Sequence, residues 1–218
     1  MIALIFDMDG VIINSNPIHR QAWELYNRRL GVETTEEMHQ RMYGKRNDQI
    51  VRDYLGDHLS DAEVFEHGAA KERLYRELAG PSLASSLVPG VREFLERHRD
   101  LPLAVASNAE AENVRFVLEA AGLGSFFRAI VDGHQVSRPK PAPDVYLKAA
   151  EILGAPPRDC IVFEDSYSGV QAALAAGMLV AGLRTTHDEL PGTAIAADDF
   201  LAPELEDWLR VTIASIGR

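Results

Sequence analysis

Apolar residues in this sequence are concentrated in short, unbroken runs separated by longer stretches with helical periodicity. Within a run the apolar positions do not alternate with polar ones. Such runs are typical of strands buried on both faces of a parallel sheet. The sequence therefore predicts strands at IALIF (2–6), LAVA (103–106), AIV (129–131), CIVF (160–163) and MLVAGL (178–183).

The stretches between the later runs have apolar residues at helical spacing and end at a glycine, which is a common helix stop. They are AENVRFVLEAAGL (111–123), APDVYLKAAEILG (142–154) and SGVQAALAAG (168–177). The segment ELEDWLRVTIASI (204–216) predicts a last amphipathic helix. Strands that alternate with helices predict an α/β fold with a doubly wound, Rossmann-like parallel sheet.

Residues 16–87 break this alternation, because they contain amphipathic stretches but no strong strand run. The clearest stretches are WELYNRRLG (23–31), NDQIVRDYLG (47–56) and EVFEHGAAKERLYRELAG (63–80). We expect residues 16–87 to form an inserted, all-helical domain. The main domain would then be discontinuous, with residues 1–15 and 88–218, and would resume at Pro89-Gly90 with a helix over 91–100.

Composition and charge narrow the classes of partner. The chain has 218 residues, is 46% hydrophobic, and carries a formal net charge of −11. A nucleic-acid backbone or an anionic membrane surface is therefore an unexpected partner, since binding either requires a positive footprint. A net negative charge does not exclude a small phosphorylated substrate, because the electrostatic potential at a local site can be positive. No feature indicates an obligate protein partner.

The single cysteine, Cys160, lies in an apolar run and is expected to be a buried thiol. One cysteine cannot form an internal disulfide, which favours a reducing compartment. The N-terminus lacks the basic segment of a signal peptide, and no apolar stretch is long enough to span a bilayer. We therefore expect a cytoplasmic protein.

Polar residues follow four of the predicted strands. They are Asp7 and Asp9 after the first, Ser107 and Asn108 after the second, Lys140 in the loop after the third, and Glu164 and Asp165 at the fourth. Ligands of doubly wound sheets bind outside the carboxyl ends of the strands. We therefore expect these side chains to form one site.

Asp7 and Asp9 are two residues apart, so an extended chain directs both side chains to the same side, with α-carbons about 6–7 Å apart. One carboxylate can attack phosphorus to give an aspartyl phosphate, while the other transfers a proton. An alternative for Asp9 is a turn role, since Asp before Gly10 is a common turn pair. That alternative explains Asp7 poorly.

Asp7, Asp9, Glu164 and Asp165 would together concentrate negative charge. Unit charges 4 Å apart repel by about 4 kcal/mol at an effective dielectric constant near 20. A hard divalent cation relieves this repulsion, and a ligand set made only of oxygen atoms suits Mg²⁺. The alternative for Glu164 and Asp165 is capping of the following helix, which requires one acid rather than two.

Ser107 and Asn108 precede a predicted helix whose first turn offers free N–H groups to an anion, although Ser107 is also a plausible N-cap. Lys140 lies in KPAPD (140–144), where two prolines stiffen the loop. A lysine in such a loop can neutralise a phosphate. Taken alone, an exposed loop lysine would more often be solvated.

The four motifs, in order, resemble those of the haloacid dehalogenase superfamily. The motifs are DMDGV (7–11), SN (107–108), the lysine of KPAPD (140–144) and the ED of FEDSYSGVQAA (163–173). The helical insert directly after the first motif is similar to the small cap of the beta-phosphoglucomutase-like subgroup. The resemblance implies that Asp7 is the nucleophile and Asp9 the general acid/base, and that Asp7, the Asp9 carbonyl and Asp165 bind Mg²⁺. Glu164 joins the metal or lies behind it, and the phosphoryl group is held by Ser107, Asn108 and Lys140.

The resemblance also singles out residues of the insert. His19 in HRQAW (19–23) is similar to a histidine that orients Asp9 in the mutase, and Lys71 is similar to a cap lysine. Lys45 and Arg46 in GKRND (44–48) are candidates for substrate contact. The alternative for all four is an ordinary position on an exposed helix or loop. The sequence departs from the mutase at three positions, which are Asn47 for an arginine, Asn14 for an acid and Pro139 for a glycine.

These departures favour a phosphatase that acts on a small phosphorylated metabolite, in particular a sugar phosphate, through an aspartyl phosphate. Dehalogenase and phosphonatase relatives lack the second acid, so Asp9 favours phosphate esters, whose leaving oxygen needs a proton. A sugar-phosphate mutase is the alternative. A non-catalytic sensor of phosphorylated ligands is a third possibility, but pure binding would not require a nucleophile such as Asp7.

Overall fold

The computed structural model describes residues 1–216 and contains a six-stranded sheet in which every paired strand is parallel. The strand order is β3-β2-β1-β4-β5-β6, which confirms the predicted doubly wound sheet. The five predicted strands are present, and a short sixth strand was missed. The strands are β1 (Ala3–Phe6), β2 (Leu103–Ala106), β3 (Ala129–Val131), β4 (Cys160–Glu164), β5 (Leu179–Leu183) and β6 (Ile195–Ala197).

The helices flank the sheet or form the insert. All except the second were anticipated, but the helix predicted over 91–100 ends at Arg97 and the first begins at Asn16 rather than residue 23. They are α1 (Asn16–Arg29), α2 (Glu36–Met42), α3 (Asn47–Leu55), α4 (Asp61–Ala79), α5 (Val91–Arg97), α6 (Ala111–Ala121), α7 (Asp144–Leu153), α8 (Tyr167–Ala175) and α9 (Pro203–Ile216). None of those described within residues 1–216 combines the length and the apolar character needed to cross a bilayer.

The sheet separates two apolar clusters. On one face, Phe6 of β1 stacks on Phe163 of β4 with ring centroids 4.6 Å apart, and Phe94 of α5 meets both rings edge-on. On the other face, Ile5 of β1 and Tyr146 of α7 belong to the second cluster. It also contains Cys160, which is buried as predicted. Residues that follow β1 and β4 therefore start from two rigid, adjacent strands.

Helices α1–α4 have an apolar cluster of their own, centred on Trp23. The indole is fully buried and meets Tyr54 of α3 edge-on at 4.8 Å, while Tyr75 of α4 belongs to the same cluster. A separate core agrees with an inserted helical unit, although the proposed boundaries at residues 16 and 87 stay a prediction. The insert follows β1 directly, so its first helix begins at the carboxyl edge of the sheet.

Candidate active site

Asp7 directly follows β1 and is held in line with β4 by a hydrogen bond from its backbone N–H to the Phe163 carbonyl, at 3.0 Å. The chain then turns at Gly10, whose φ is +82°. A methyl group on Gly10 would overlap the carboxylate of Asp165. This turn therefore requires glycine for both its conformation and its space, and it keeps Asp165 close to the end of β1.

Lys140 is buried between two carboxylates. Its Nζ lies 2.7 Å from Asp7 Oδ1 and 2.7 Å from Glu164 Oε1. The ammonium group also lies 4.7 Å from the ring centroid of Tyr146, whose hydroxyl donates to Glu164 Oε1 at 2.6 Å. Burial alone would lower the pKa of Lys140, but the charges of Asp7 and Glu164 raise it above its usual value. Lys140 is therefore a fixed positive charge beside the predicted nucleophile.

Asp7, Glu164 and Asp165 form a buried acidic cluster, in which one carboxylate oxygen from each lies within 4.8 Å of the others. Burial, followed by the charges of Glu164 and Asp9, raises the pKa of Asp7 to about 7, although Lys140 opposes the shift. Burial and the charges of Glu164 and Asp7 raise the pKa of Asp165 well above its usual value. One lysine therefore does not balance three acids, and three oxygen donors fit a hard divalent cation such as Mg²⁺.

Glu164 differs from its neighbours because both its oxygens are already engaged. Oε1 accepts from Lys140 and Tyr146, and Oε2 accepts from the Ser166 hydroxyl and the N–H groups of Asp165 and Ser166. Gly169 leaves room for this side chain, since a methyl group there would overlap the carboxylate. The arrangement leaves Asp7 and Asp165 as the carboxylates freer to bind a metal.

Asp9 lies outside the acidic cluster and has different partners. Its Oδ1 accepts from the Ser15 hydroxyl at 2.5 Å and lies 3.5 Å from His19 Nε2. Burial would raise the pKa of Asp9, but His19, the Ser15 hydroxyl and the charge of Lys71 together outweigh burial, and the pKa is lowered overall. His19 in turn stacks on Tyr75, with centroids 3.9 Å apart, and its Nδ1 lies 2.8 Å from Lys71 Nζ. The resemblance implies that Asp9 binds the metal through its backbone carbonyl, and this stays a prediction, because the acidic cluster of Asp7, Glu164 and Asp165 concerns side-chain oxygens only.

Ser107 and Asn108 follow β2 and connect the loops around Asp7. The Ser107 hydroxyl accepts from the Ala109 N–H at 3.1 Å. The Asn108 side chain accepts from the Lys140 N–H at 3.1 Å and donates to the Gly44 carbonyl at 2.8 Å. Asn108 therefore joins the lysine loop to the insert as well as lying beside the acidic cluster.

A cavity of about 80 Å³ lies between the insert and the edge of the sheet. Two predicted residues do not line it: Glu164 lies behind Lys140, and Arg46 pairs with Asp48 at 2.7 Å outside it. Lys45 lines the cavity, but its Nζ pairs with Asp53 at 2.5 Å. The structure brings the other predicted residues together at this cavity, which are Asp7, Asp9, His19, Lys71, Ser107, Asn108, Lys140 and Asp165.

Several residues that line the cavity were missed from the sequence. Glu72 and Asn113 are buried and hydrogen-bonded to each other at 2.7 Å, and Glu110 accepts from Asn47 at 3.1 Å. Trp23 is part of the apolar cluster of the insert and also lines the cavity. The only available signal for Glu110 was its position three residues after Ser107, at the start of a helix.

The chain matches known proteins along most of its length. The sequence profile of the haloacid dehalogenase-like hydrolases matches residues 1–177. Fructose-1-phosphate phosphatase YqaB from Escherichia coli is 34% identical over 177 residues, covering 80% of this chain and 92% of that protein. A crystal structure of beta-phosphoglucomutase from Clostridium difficile has a TM-score of 0.87 at 23% identity, covers 100% of both chains, and establishes the shared fold. A crystal structure of the protein CbbY from Rhodobacter sphaeroides in complex with xylulose-(1,5)bisphosphate has a TM-score of 0.79 at 26% identity. The match covers 92% of this chain and 95% of the CbbY chain.

Proposed function

The chain belongs to the haloacid dehalogenase-like hydrolases, and from this membership we propose that it is a magnesium-dependent phosphatase of sugar phosphates. The observation that carries the proposal is the pair of aspartates with unequal surroundings. Asp7 contacts Lys140 at 2.7 Å within the acidic cluster, whereas Asp9 contacts Ser15 and His19. The likeness to a fructose-1-phosphate phosphatase supports a sugar phosphate as the substrate.

In the first step of the proposed reaction, a carboxylate oxygen of Asp7 attacks phosphorus and the bond from phosphorus to the sugar oxygen breaks. Asp9 donates a proton to that oxygen, so the sugar leaves as a neutral alcohol. Because the pKa of Asp9 is lowered in the free protein, the negative charge of the bound phosphate must raise it so that Asp9 enters this step protonated. This division of roles is supported by the different surroundings of the two side chains, since both line the same cavity and only Asp9 is hydrogen-bonded by Ser15.

In the second step, Asp9 takes a proton from a water molecule while the water oxygen attacks phosphorus. The bond between phosphorus and Asp7 breaks, inorganic phosphate is released, and both aspartates return to their starting states. Lys140 is in contact with Asp7 and balances negative charge throughout, because the charges of Asp7 and Glu164 outweigh its burial and keep it protonated.

Mg²⁺, when bound, would neutralise and orient the oxygens of the phosphoryl group. We propose Asp7 and Asp165 as its side-chain ligands, together with the backbone carbonyl of Asp9. Glu164 supports this set from behind through Lys140, since five hydrogen bonds already occupy its two oxygens. The donor set and the uncompensated charge of the acidic cluster support the roles of Asp7 and Asp165, and the Asp9 carbonyl is included because the family resemblance implies it.

A mutase is the second candidate, and the contact of His19 with both Asp9 and Lys71 favours it, because the resemblance associates these residues with the mutase. The two reactions share the first step and differ in the acceptor of the phosphoryl group, which is water in a phosphatase and a sugar hydroxyl in a mutase.

The purified protein should release phosphate from a panel of sugar phosphates, including fructose 1-phosphate, in Mg²⁺ and not in excess EDTA. Asp7→Asn should abolish release with an unchanged circular dichroism spectrum, whereas Asp57→Asn on an exposed part of the insert should not. Conversion of beta-glucose 1-phosphate to glucose 6-phosphate with little phosphate release would indicate the mutase. Binding of sugar phosphates without either reaction would indicate a sensor and contradict the proposal.

A further inference from the structure

The cavity has a second wall, built by Asn47 of α3, Glu72 of α4, and Glu110 and Asn113 at the start of α6. These four side chains, which we name the distal wall, are hydrogen-bonded in two pairs, since Asn47 donates to Glu110 and Asn113 donates to Glu72. Two of the four also contact cations, because Lys71 donates to Glu72 and Arg76 donates to Asn113. Among the described residues, none of the four bonds to Asp7, Lys140 or Asp165. They are therefore placed to meet the leaving group rather than the transferred phosphoryl group.

We propose that the distal wall accepts an uncharged polyhydroxyl leaving group and rejects a second phosphate, so that the substrate is a sugar or polyol monophosphate. The inference rests on the proposed phosphatase function and specifies its substrate class. Similarity to known proteins does not decide between a monophosphate and a bisphosphate substrate, because YqaB is named for a monophosphate and the CbbY complex contains a bisphosphate.

The positive charges around the cavity are already paired. Within residues 1–216, its lysines are Lys45, Lys71 and Lys140, and no arginine lines it. Lys140 pairs with Asp7 and Glu164, Lys71 with Glu72 at 2.8 Å, and Lys45 with Asp53 at 2.5 Å. A second phosphate would therefore have to share a lysine that already has a carboxylate partner, and no unpaired cation of the described lining is available to it.

Glu110 adds a negative charge that no cation at contact distance balances. Its Oε1 accepts from the Asn47 amide at 3.1 Å, and no salt bridge to Glu110 is present among the described residues. Burial, followed by the charge of Glu72, raises the pKa of Glu110. A phosphate dianion at the distal wall would meet this carboxyl group, whereas a neutral hydroxyl could donate a hydrogen bond to it.

Two unpaired polar atoms point to hydroxyl groups as the missing partners. The indole N–H of Trp23 and the amide oxygen of Asn47 are buried, and neither has a hydrogen-bond partner among the described residues. Both residues line the cavity. Buried donors and acceptors are rarely left unpaired, and a hydroxyl group can accept from one and donate to the other.

The test compares kcat/KM for matched substrates that differ only in a second phosphate, namely fructose 1-phosphate and fructose 1,6-bisphosphate, with further mono- and bisphosphates of hexoses and pentoses. We expect the wild type to prefer the monophosphate by about 100-fold or more. Glu110→Lys should reduce that preference at least tenfold, mainly by lowering KM for the bisphosphate, and Glu110→Gln should shift it less in the same direction.

Glu119→Lys is the matched control, since Glu119 lies on the same helix, is exposed, and does not line the cavity. It should leave the preference within about twofold of wild type. Equal use of both substrates by the wild type, no hydrolysis of any monophosphate, or no change of preference in both Glu110 variants would overturn the inference. Activity that survives Asp7→Asn would instead refute the proposed mechanism, so the two failures are distinguishable.

Discussion

Replacing Lys140 with methionine should separate the structural role of its charge from that of its side-chain volume. The ammonium group is 1% exposed, and it lies 2.7 Å from carboxylates of Asp7 and Glu164 that are 9% and 0% exposed. Methionine retains most of the apolar stem and therefore leaves little cavity. The main effect of Lys140→Met should be the loss of positive charge between two buried acids.

Removing one partner of a buried ion pair typically costs 3–5 kcal/mol of folding free energy, because the other charge remains buried without compensation. We therefore expect Lys140→Met to lower the free energy of unfolding by about 3–5 kcal/mol at pH 8 in EDTA. A lysine that has no carboxylate partner should be nearly neutral to the same change. Lys148→Met on α7, where Nζ bonds only to the exposed Gln135 carbonyl, should stay within about 0.5 kcal/mol of wild type.

The loss of unfolding free energy caused by Lys140→Met, which we call the deficit, should depend on pH. Without Lys140, the pKa of Asp7 rises further above its usual value of 3.8, because the charge that opposes the effect of burial is gone, and Glu164 loses the charge that does most to lower its own pKa. The folded variant then binds more protons than the unfolded one, so its stability falls as pH rises through that interval, by up to about 1.4 kcal/mol per pH unit for each group. The deficit relative to wild type should consequently be smaller at pH 5.5 than at pH 8.

Urea unfolding followed by circular dichroism and tryptophan fluorescence measures these free energies in EDTA at both pH values. Excess Mg²⁺ should recover part of the loss, since a divalent cation would compensate the same carboxylates. A Lys140→Met protein within 1 kcal/mol of wild type at pH 8 in EDTA would refute the view that Lys140 balances the buried acids. A deficit that did not shrink at pH 5.5 would refute the electrostatic cause.

Three further outcomes are expected. Gly169→Ala should prevent accumulation of folded protein, because the added methyl group would overlap Glu164. Gly124→Ala should be tolerated, since no atom lies near the added methyl group there. Soluble yield and thermal unfolding measure both outcomes. Mg²⁺ at 100 times its Kd should raise the free energy of unfolding by about 2.7 kcal/mol, and replacing the acids of the acidic cluster with amides should remove this gain. Lys71→Met should lower the free energy of unfolding by about 3–5 kcal/mol, because Glu72 would stay buried without its cation. The double variant Lys71→Met/Glu72→Gln should recover much of that free energy, as measured by urea unfolding.

The predicted fold and much of the site followed from the positions of polar residues at strand ends. Uninterrupted apolar runs identified β1 and β4 as buried parallel strands, and parallel strands bring their carboxyl ends to one edge. That rule alone was enough to expect Asp7 near Asp165. The short strand β6 and helix α2 were missed, because IAA (195–197) and EEMHQRM (36–42) carry too few apolar residues to show a period.

The contacts within the insert could not be predicted, because they depend on how its helices pack. Lys71 lies among glutamates and arginines on α4, and its sequence context is that of a solvated charge. In the structure it is 2% exposed and lies 5.0 Å from the Trp23 ring centroid, with His19 and Glu72 as polar partners. His19 is 52 residues away in the chain, so only the packing of α1 against α4 creates the contact.

The two aspartates depend on different parts of the fold for their geometry. The side-chain partner of Asp7 is Lys140, which lies on a loop after the sheet and is held by Glu164 at the end of β4. Asp9 instead contacts His19 of α1, which is itself held by Lys71 of α4. A displacement of the insert would therefore leave the side-chain partner of Asp7 in place, whereas Asp9 would lose His19 and keep Ser15. The sheet and the lysine loop hold the group proposed to attack phosphorus, whereas the group proposed to move protons has its full set of partners only when the insert is packed against the sheet.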